Sequence, residues 1–315
     1  MKKTVILFIS GILISIATLE GVVRVISPFL GPPLTKWNTM EDAKNLKLEE
    51  FRLKYPKPQY LFMGNSSVLI GFNPSVFDTE ANLPAGSSFN AGMNGYEIKT
   101  IRDFACGYIL KEIQPKNLVV LFSNPGMATK IDYLGLDTNN SILEKYFYIH
   151  RYRNTFRDPM TINTFIRVLK FHNKRQGIVY RWADNLDDFG YTKYGTPKSV
   201  VTNPGWNPSE DILREESAPP SIEIKGMEYL IEIRDLSRAR GGNLIIGTVP
   251  TLSFDKKYRE AIEAMAKYLG VAFVQGNDAV GQGKYFQDHI HLNQQGATEF
   301  SKFLARELPK LNSTS

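Results

Sequence analysis

Two short segments, separated by more than 200 residues, carry the side-chain types of an activated serine. Near the C-terminus the chain reads Asp288-His289-Ile290-His291-Leu292-Asn293, and far upstream an apolar run, Tyr60–Met63, ends abruptly in Gly64-Asn65-Ser66-Ser67. A serine hydroxyl is a poor nucleophile until a base takes its proton, and that base must be oriented by a third group. His291 as general base, with Asp288 three residues before it as orienting acid, supplies both. The chain has only four histidines, which gives this pair weight. His289 is the competing base, but it adjoins Asp288 directly and would point elsewhere in an extended segment. Gly64 ahead of Ser66 lets the backbone turn sharply and leaves the following amides free to bind an oxyanion. Two further donors are available in loops, the backbone N–H of Gly92 and the side-chain amide of Asn124.

Other chemistry fits less well. In a structural reading Asp288 only caps the last helix and His291 lies on the surface. Asp288, His289 and His291 would hold a cation only with ligands that no second cluster provides. One cysteine, Cys106, excludes an intramolecular disulfide, and its apolar helical setting reads as a small buried hydrophobe. No GxxxxGK[ST] or GxGxxG motif is present, so neither a nucleotide nor any other cofactor is expected. The G-x-S-x-G motif is absent as well, because Ser67-Val68 follow Ser66.

The elements that must position these residues follow an alternating rhythm. Strands are expected at 59–63, from Ser87 into a Gly/Asn-rich loop ending at Gly95, at Asn117–Phe122, at Asn243–Val249 and at Val271–Val274. Helices are expected over 96–112, 223–240, 255–269 and 296–308. Short, continuously apolar strands alternating with helices predict a parallel central sheet covered on both faces, an α/β protein of three α/β/α layers. Functional groups of such sheets gather beyond the carboxyl ends of the strands. Ser66, the Gly92–Asn94 loop, Asn124 and the Asp288–His291 loop would all lie there. At 315 residues the chain has room for one such domain of about 200–250 residues plus additions.

The additions lie in two places. Lys2-Lys3 precede sixteen uncharged residues, Thr4–Leu19, and apolar character resumes past Glu20 and Arg24 to Leu30. A bilayer span takes about 20 residues. We read residues 1–30 as an uncleaved membrane anchor rather than a cleaved signal peptide, because no small-x-small cleavage site follows. The leading lysines place the N-terminus inside and the body on the extracytoplasmic side. Residues 31–58, with Pro32-Pro33, Pro56 and Pro58, read as a juxtamembrane linker carrying one short helix. Residues 59–315 form the α/β domain, interrupted at about 127–220 by an insertion or lid with helical patches near 141–150 and 159–173. Between Lys145 and Arg181 that insertion carries nine Lys/Arg against one acid, Asp158, so this segment exceeds the whole net charge of +6. Aromatic residues interleave it. An exported body makes nucleic acid an unsuitable partner, and anionic headgroups or an anionic polymer fit better.

Taken together these segments resemble the SGNH/GDSL hydrolase superfamily. Its blocks are a Gly-Asp-Ser turn, a glycine, an asparagine and a late Asp-x-x-His. Here they read Gly64-Asn65-Ser66, Phe89-Asn90-Ala91-Gly92, Ser123-Asn124 and Asp288-x-x-His291, the last followed by Leu-Asn-x-x-Gly. The resemblance covers roughly residues 59–125 and 240–308. It implies Ser66 as nucleophile with its amide as one oxyanion donor, Gly92 and Asn124 as the other two, His291 as base and Asp288 as its partner. Asn65 departs from the usual aspartate, and Phe-Ser-Asn-Pro departs from the usual third block. The anchor, the insertion and the form of the first block resemble the membrane-tethered extracytoplasmic members, some of them similar to polysaccharide O-acetyltransferases. The implied activity is acyl transfer through an acyl-serine, with an acylated cell-envelope glycan or polymer as substrate and envelope proteins as further partners. Water as acceptor makes an esterase and a sugar hydroxyl makes an O-acyltransferase. The competing expectation is a degenerate scaffold that binds a polysaccharide or partner protein at the membrane.

Overall fold

The computed structural model describes residues 2–30, 40–55, 57–123, 147–152, 156, 185–192, 225–252, 256–280, 283–288 and 290–311. The chain divides into two compact units, one of residues 1–46 and 134–183, the other of residues 47–133 and 184–315.

The larger unit is built on five strands: β1 (Tyr60–Met63), β2 (Ser88–Asn90), β3 (Asn117–Phe122), β4 (Asn243–Thr248) and β5 (Ala272–Val274). All pair in parallel in the order β2-β1-β3-β4-β5, with Tyr60 opposite both Ser88 and Asn117 and with Val119 opposite Ile245. Every residue of β1 and β3 is buried, as strands covered on both faces must be. Side chains alternate between faces. Tyr60, Phe62, Val119, Leu121 and Ile245 share one core with Val68, Phe77, Phe300 and Leu304. These last four come from α3 (Ser66–Gly71), α4 (Pro74–Glu80) and α9 (Gln294–Leu311). Their strand neighbours Leu61, Leu118, Val120, Leu244 and Ile246 are also buried and face the opposite side. There α7 (Lys225–Ala239) packs on β4 and on α5 (Ile98–Phe104), and α8 (Lys256–Leu269) packs on β4 and β5. This is the α/β arrangement with a parallel central sheet expected from the strand rhythm.

Three local differences from the sequence reading have physical causes. The helix expected over 96–112 is α-helical only through Phe104. It continues as a π-helix, Ala105–Ile113, closed by Gln114 in the left-handed region (φ 53°) ahead of Pro115. Apolar spacing alone does not distinguish the two hydrogen-bond patterns. The short helix expected in the linker is α2 (Met40–Lys54), but its Leu48 and Phe51 are fully buried. Phe51 packs against Tyr55, Phe89 and Phe189, so this half of α2 is part of the core of the body. Finally, α3 and α4 fill the span between β1 and β2, where no helix was expected.

In the smaller unit, α1 (Lys2–Leu30) meets α6 (Tyr148–Arg151). Val23 and Tyr152 are buried together, with Ile26, Ile149 and Phe156 around them. The Glu20 carboxylate accepts hydrogen bonds from the Tyr148 and Ile149 amides at 2.9 and 3.0 Å and from Arg24 at 2.8 Å, and Arg24 lies over the Tyr148 ring. Among the described residues no helix is long and apolar enough to cross a membrane. Part of the expected anchor, residues 1–6, 9 and 27–30, has side chains outside that description. Most of the basic insertion, including the helical patch expected at 159–173, also lies outside the described residues.

Candidate active site

The strand order reverses direction between β1 and β3, because the chain crosses from β1 leftward to β2 and then back to β3. Beyond the carboxyl ends of strands flanking such a reversal the connections part, leaving a crevice. Ser66 follows β1 and Ser123 follows β3 at this point.

The turn after β1 is tight. A Cβ on Gly64 would lie 2.4 Å from Val68 Cγ2 and 2.6 Å from the Leu121 carbonyl oxygen, so only glycine fits there. Asn65, with extended backbone, then caps α3: its Oδ1 accepts the Ser67 amide at 3.0 Å. Ser66 is therefore the first residue of the helix, where amides have no intrahelical partner. Its N–H has no acceptor among the described residues.

The late loop is fixed separately. Phe286 and Leu292 form an antiparallel bridge, the Gln287 amide donates to the His291 carbonyl at 2.9 Å, and Leu292 is fully buried in the core. Asn293 caps α9, its Oδ1 accepting the Gly296 amide at 3.0 Å. The capping role considered for Asp288 therefore belongs to Asn293. Asp288 instead turns inward on its own loop, with Oδ1 accepting the Ile290 and His291 amides at 2.9 and 2.7 Å.

These two loops meet. His291 Nε2 lies 2.8 Å from Ser66 Oγ, and His291 Nδ1 lies 2.8 Å from Asp288 Oδ2. Partial burial opposes ionisation of Asp288, but the His291 ring and the Ile290 and His291 amides outweigh it and bring the carboxyl down to about 2. An ionised carboxylate only accepts hydrogen bonds, so Nδ1 carries the ring proton. In the neutral ring Nε2 is then an acceptor aimed at the Ser66 hydroxyl. This line, Ser66 O–H to His291 to Asp288, is the arrangement that makes a serine nucleophilic.

Not every expected site residue behaves as expected. Gly92 approaches α3 so closely that a Cβ would lie 2.5 Å from the Leu69 amide nitrogen. Its own N–H, however, donates to Asn90 Oδ1 at 2.9 Å and is occupied within its turn rather than presented as an oxyanion donor. Asn124 and His289 lie outside the described residues.

Four polar residues near the site make contacts that the sequence reading did not foresee. Asn90, fully buried, gives its Nδ2 to the carbonyls of Val68, Leu69 and Phe72 at 2.9, 3.2 and 2.7 Å. It ties the end of β2 to the far end of the serine helix. Asn65 and Ser123 bond reciprocally across the strand reversal, Nδ2 to Ser123 Oγ at 2.7 Å and Ser123 Oγ to Oδ1 at 3.0 Å. An aspartate at position 65 could only accept, so the asparagine supports a link that the usual residue does not. Ser67, also fully buried, donates from Oγ to the Ile290 carbonyl at 3.2 Å. Only the capping preference of asparagine at 65 was readable from sequence; the other contacts join distant segments.

The site is thus a serine–histidine–carboxylate line at the strand reversal of an open parallel α/β sheet. No family model matches the sequence, and no curated protein matches it either. Among solved structures it is similar to a proposed acylhydrolase of Bacteroides fragilis (11% identity, 88% of this chain and 99% of that one covered, TM-score 0.42). It is also similar to a GDSL-like lipase of Bacteroides thetaiotaomicron (12% identity, 86% and 99% covered, TM-score 0.41) and to a carbohydrate acetylesterase of Sinorhizobium meliloti (9% identity, 81% and 100% covered, TM-score 0.38). At such identities and scores the likeness carries nothing about the reaction of this chain, which is read from its own site.

Proposed function

We propose that this chain is an SGNH-type acyl-ester enzyme working through an acyl-Ser66 intermediate. The observation that carries the reading is the pair of 2.8 Å contacts linking Ser66 Oγ, His291 and Asp288 Oδ2. In the first half-reaction Oγ attacks the ester carbonyl carbon and its proton passes to His291 Nε2. The tetrahedral oxyanion draws on the unengaged Ser66 amide, with Asn124 as a second donor. Collapse breaks the bond to the leaving alcohol oxygen, which takes the proton from Nε2. Water, or a sugar hydroxyl, then attacks the acyl-serine by the same route in reverse. Throughout, Asp288 stabilises the imidazolium without accepting its proton.

The substrate class we favour is an acylated glycan or other envelope polymer, with α1 holding the chain at the membrane and the body on the extracytoplasmic side. The sequence of α1 supports this placement, as do Leu7, Phe8, Leu13, Ile14 and Val25, all more than 60% exposed on a helix that carries no charge from Thr4 to Leu19.

A serine-directed fluorophosphonate tests the chemistry. Labelling of wild type, lost in Ser66→Ala and His291→Ala, is expected; a folded wild type that takes no label would instead indicate a binding scaffold. Acetyl-ester hydrolysis compared with acetyl transfer to an oligosaccharide, in one preparation, assigns the acceptor. Protease added to intact spheroplasts should digest the chain beyond about residue 35, and protection there would reject the outward placement.

A further inference from the structure

We propose that Ser67, the residue after the nucleophile, is the positioning residue that keeps His291 in place while Ser66 is acylated. The inference rests on the reading of Ser66 as nucleophile. It starts from the peptide plane joining Ile290 to His291, which is held at both ends. The His291 N–H donates to Asp288 Oδ1 at 2.7 Å, and the Ile290 carbonyl accepts the Ser67 hydroxyl at 3.2 Å. The first bond lies within the late loop and says nothing about where that loop sits relative to the nucleophile. The second crosses from the loop to α3.

Near the reacting atoms, α3 and the late loop are joined by two side-chain bonds, Ser66 Oγ to His291 Nε2 and Ser67 Oγ to the Ile290 carbonyl. The first cannot survive the reaction. Once Oγ is esterified it has no proton to donate, and Nε2 must turn to the incoming water. In that step the water oxygen bonds to the acyl carbon and its proton moves to Nε2. The C–Oγ bond then breaks, Oγ recovers the proton from Nε2, and the carboxylic acid departs. During this interval Ser67 supplies, among the described residues, the remaining side-chain hydrogen bond between the serine helix and the backbone of the base. Ser67 is fully buried and its amide is anchored by Asn65, so its hydroxyl is a fixed point rather than a mobile one. Positioning errors of about 1 Å can cost on the order of a hundredfold in rate.

Ser66 itself is untouched in Ser67→Ala, and its bond to His291 in the free protein remains. The loss should therefore fall on deacylation rather than acylation. With p-nitrophenyl acetate in stopped flow, Ser67→Ala is expected to show a burst of p-nitrophenolate at a rate within about threefold of wild type. Its steady-state rate should fall by about tenfold or more. Ser67→Cys, of similar size with a weaker donor, should fall between wild type and Ser67→Ala in the steady state, again with its burst retained. If Ser67→Ala fails to fold, the Cys variant carries the comparison through the same burst-to-steady-state ratio. A steady-state rate equal to wild type, or burst and steady state falling by one common factor, overturns the assignment of Ser67. Turnover that persists in Ser66→Ala overturns the nucleophile itself and is recognised separately.

Discussion

Asp78 and Asp288 offer the most instructive contrast in this molecule. Each carboxylate receives three N–H donors. Asp78 Oδ2 accepts the amides of Gly86, Ser87 and Ser88 at 3.1, 3.1 and 3.3 Å, and Asp288 accepts two amides and the His291 ring. Yet they ionise in opposite directions. Burial pushes Asp78 up to about 6 against the pull of Ser88, Gly86 and Ser87, whereas the donors around Asp288 prevail over burial and hold it near 2. Two differences account for this. Among the described residues no ion pair reaches Asp78, the nearby Arg306 pairing with Glu80 instead, and its Oδ1 is buried without a hydrogen bond on a residue only 3% exposed. Asp288 is 44% exposed at its side chain, and both of its oxygens accept hydrogen bonds, one of them facing the His291 ring. Counting donors does not predict the charge state. The depth of burial, together with whether the second oxygen finds a donor, does.

If Asp288 orients His291 and Asp78 only pins the loop into β2, replacing each by asparagine should separate activity from stability. Asp288→Asn is expected to lower kcat by about 10³–10⁴-fold, because an amide imposes the wrong ring tautomer. Thermal stability should change little, since a partly exposed pair contributes at most about 1 kcal/mol. Asp78→Asn should leave kcat within about twofold of wild type. Steady-state kinetics beside thermal melts of both variants measures this, and equal kcat losses would erase the distinction between the two residues.

The pH dependence of stability sharpens the contrast further, because the two signs are opposite. A folded pKa raised from 3.8 to about 6 at Asp78 means the folded state keeps a proton that the unfolded chain has released. That contribution is greatest below about pH 4 and is lost as pH rises through 6, by about 3 kcal/mol in all. The lowered value at Asp288 works the other way: its contribution is complete above about pH 4 and is lost as pH falls toward 2. Denaturant titrations of wild type and Asp78→Asn between pH 4 and 7 should therefore differ in slope. The descending component present in wild type should be missing from the variant, and parallel curves would contradict the raised value at Asp78.

Neither aspartate's setting was equally legible beforehand. Asp288 announced itself through His291 three residues on and the apolar rhythm that brought its loop to the strand ends. The helices α7, α8 and α9 and the strands β1, β3 and β4 were readable for the same reason, since periodicity and apolar runs are local signals. Asp78 sits in Ser75-Val-Phe-Asp-Thr-Glu80, where nothing local separates a buried carboxylate from a solvated one. Its donors come from a loop eight to ten residues later. Asn90 and Ser67 were invisible for a related reason: the carbonyls that their side chains donate to lie 18 or more residues away, and only the folded chain brings them together. Asn65 was noticed as a departure from a family pattern. The structure gives it work of its own, capping α3 and pairing with Ser123. Gly92 was assigned through the family pattern as a donor, and what the structure requires of it is the absence of a side chain.

Asn90 tests whether the serine helix depends on its own buried polar anchor as Asp78's loop does. Asn90→Leu removes three hydrogen bonds to carbonyls at the end of α3 and the acceptor of the Gly92 amide, in a site of zero exposure. The expected loss is about 1–3 kcal/mol of stability, measured by denaturant unfolding. Because α3 carries Ser66 at its opposite end, a smaller fall in kcat should accompany it. A stable variant with unchanged kcat would mean that the cap of α3 at Asn65 suffices.

The smallest expected effect isolates a single donor. The Ser88 side chain stands first among the influences holding Asp78 below the value that burial alone would impose, although its hydroxyl proton is directed at the Pro74 carbonyl at 3.4 Å. Ser88→Ala deletes that donor but leaves all three amides on Oδ2. The Asp78 pKa should then move further upward, in the direction burial already drives it. The descending limb of the stability profile should extend to higher pH by less than the change seen on removing the carboxylate altogether. An unshifted limb would show that the three amides alone set the charge of Asp78. A limb shifted to lower pH would mean that the hydroxyl disfavours the carboxylate, the reverse of the role drawn for it.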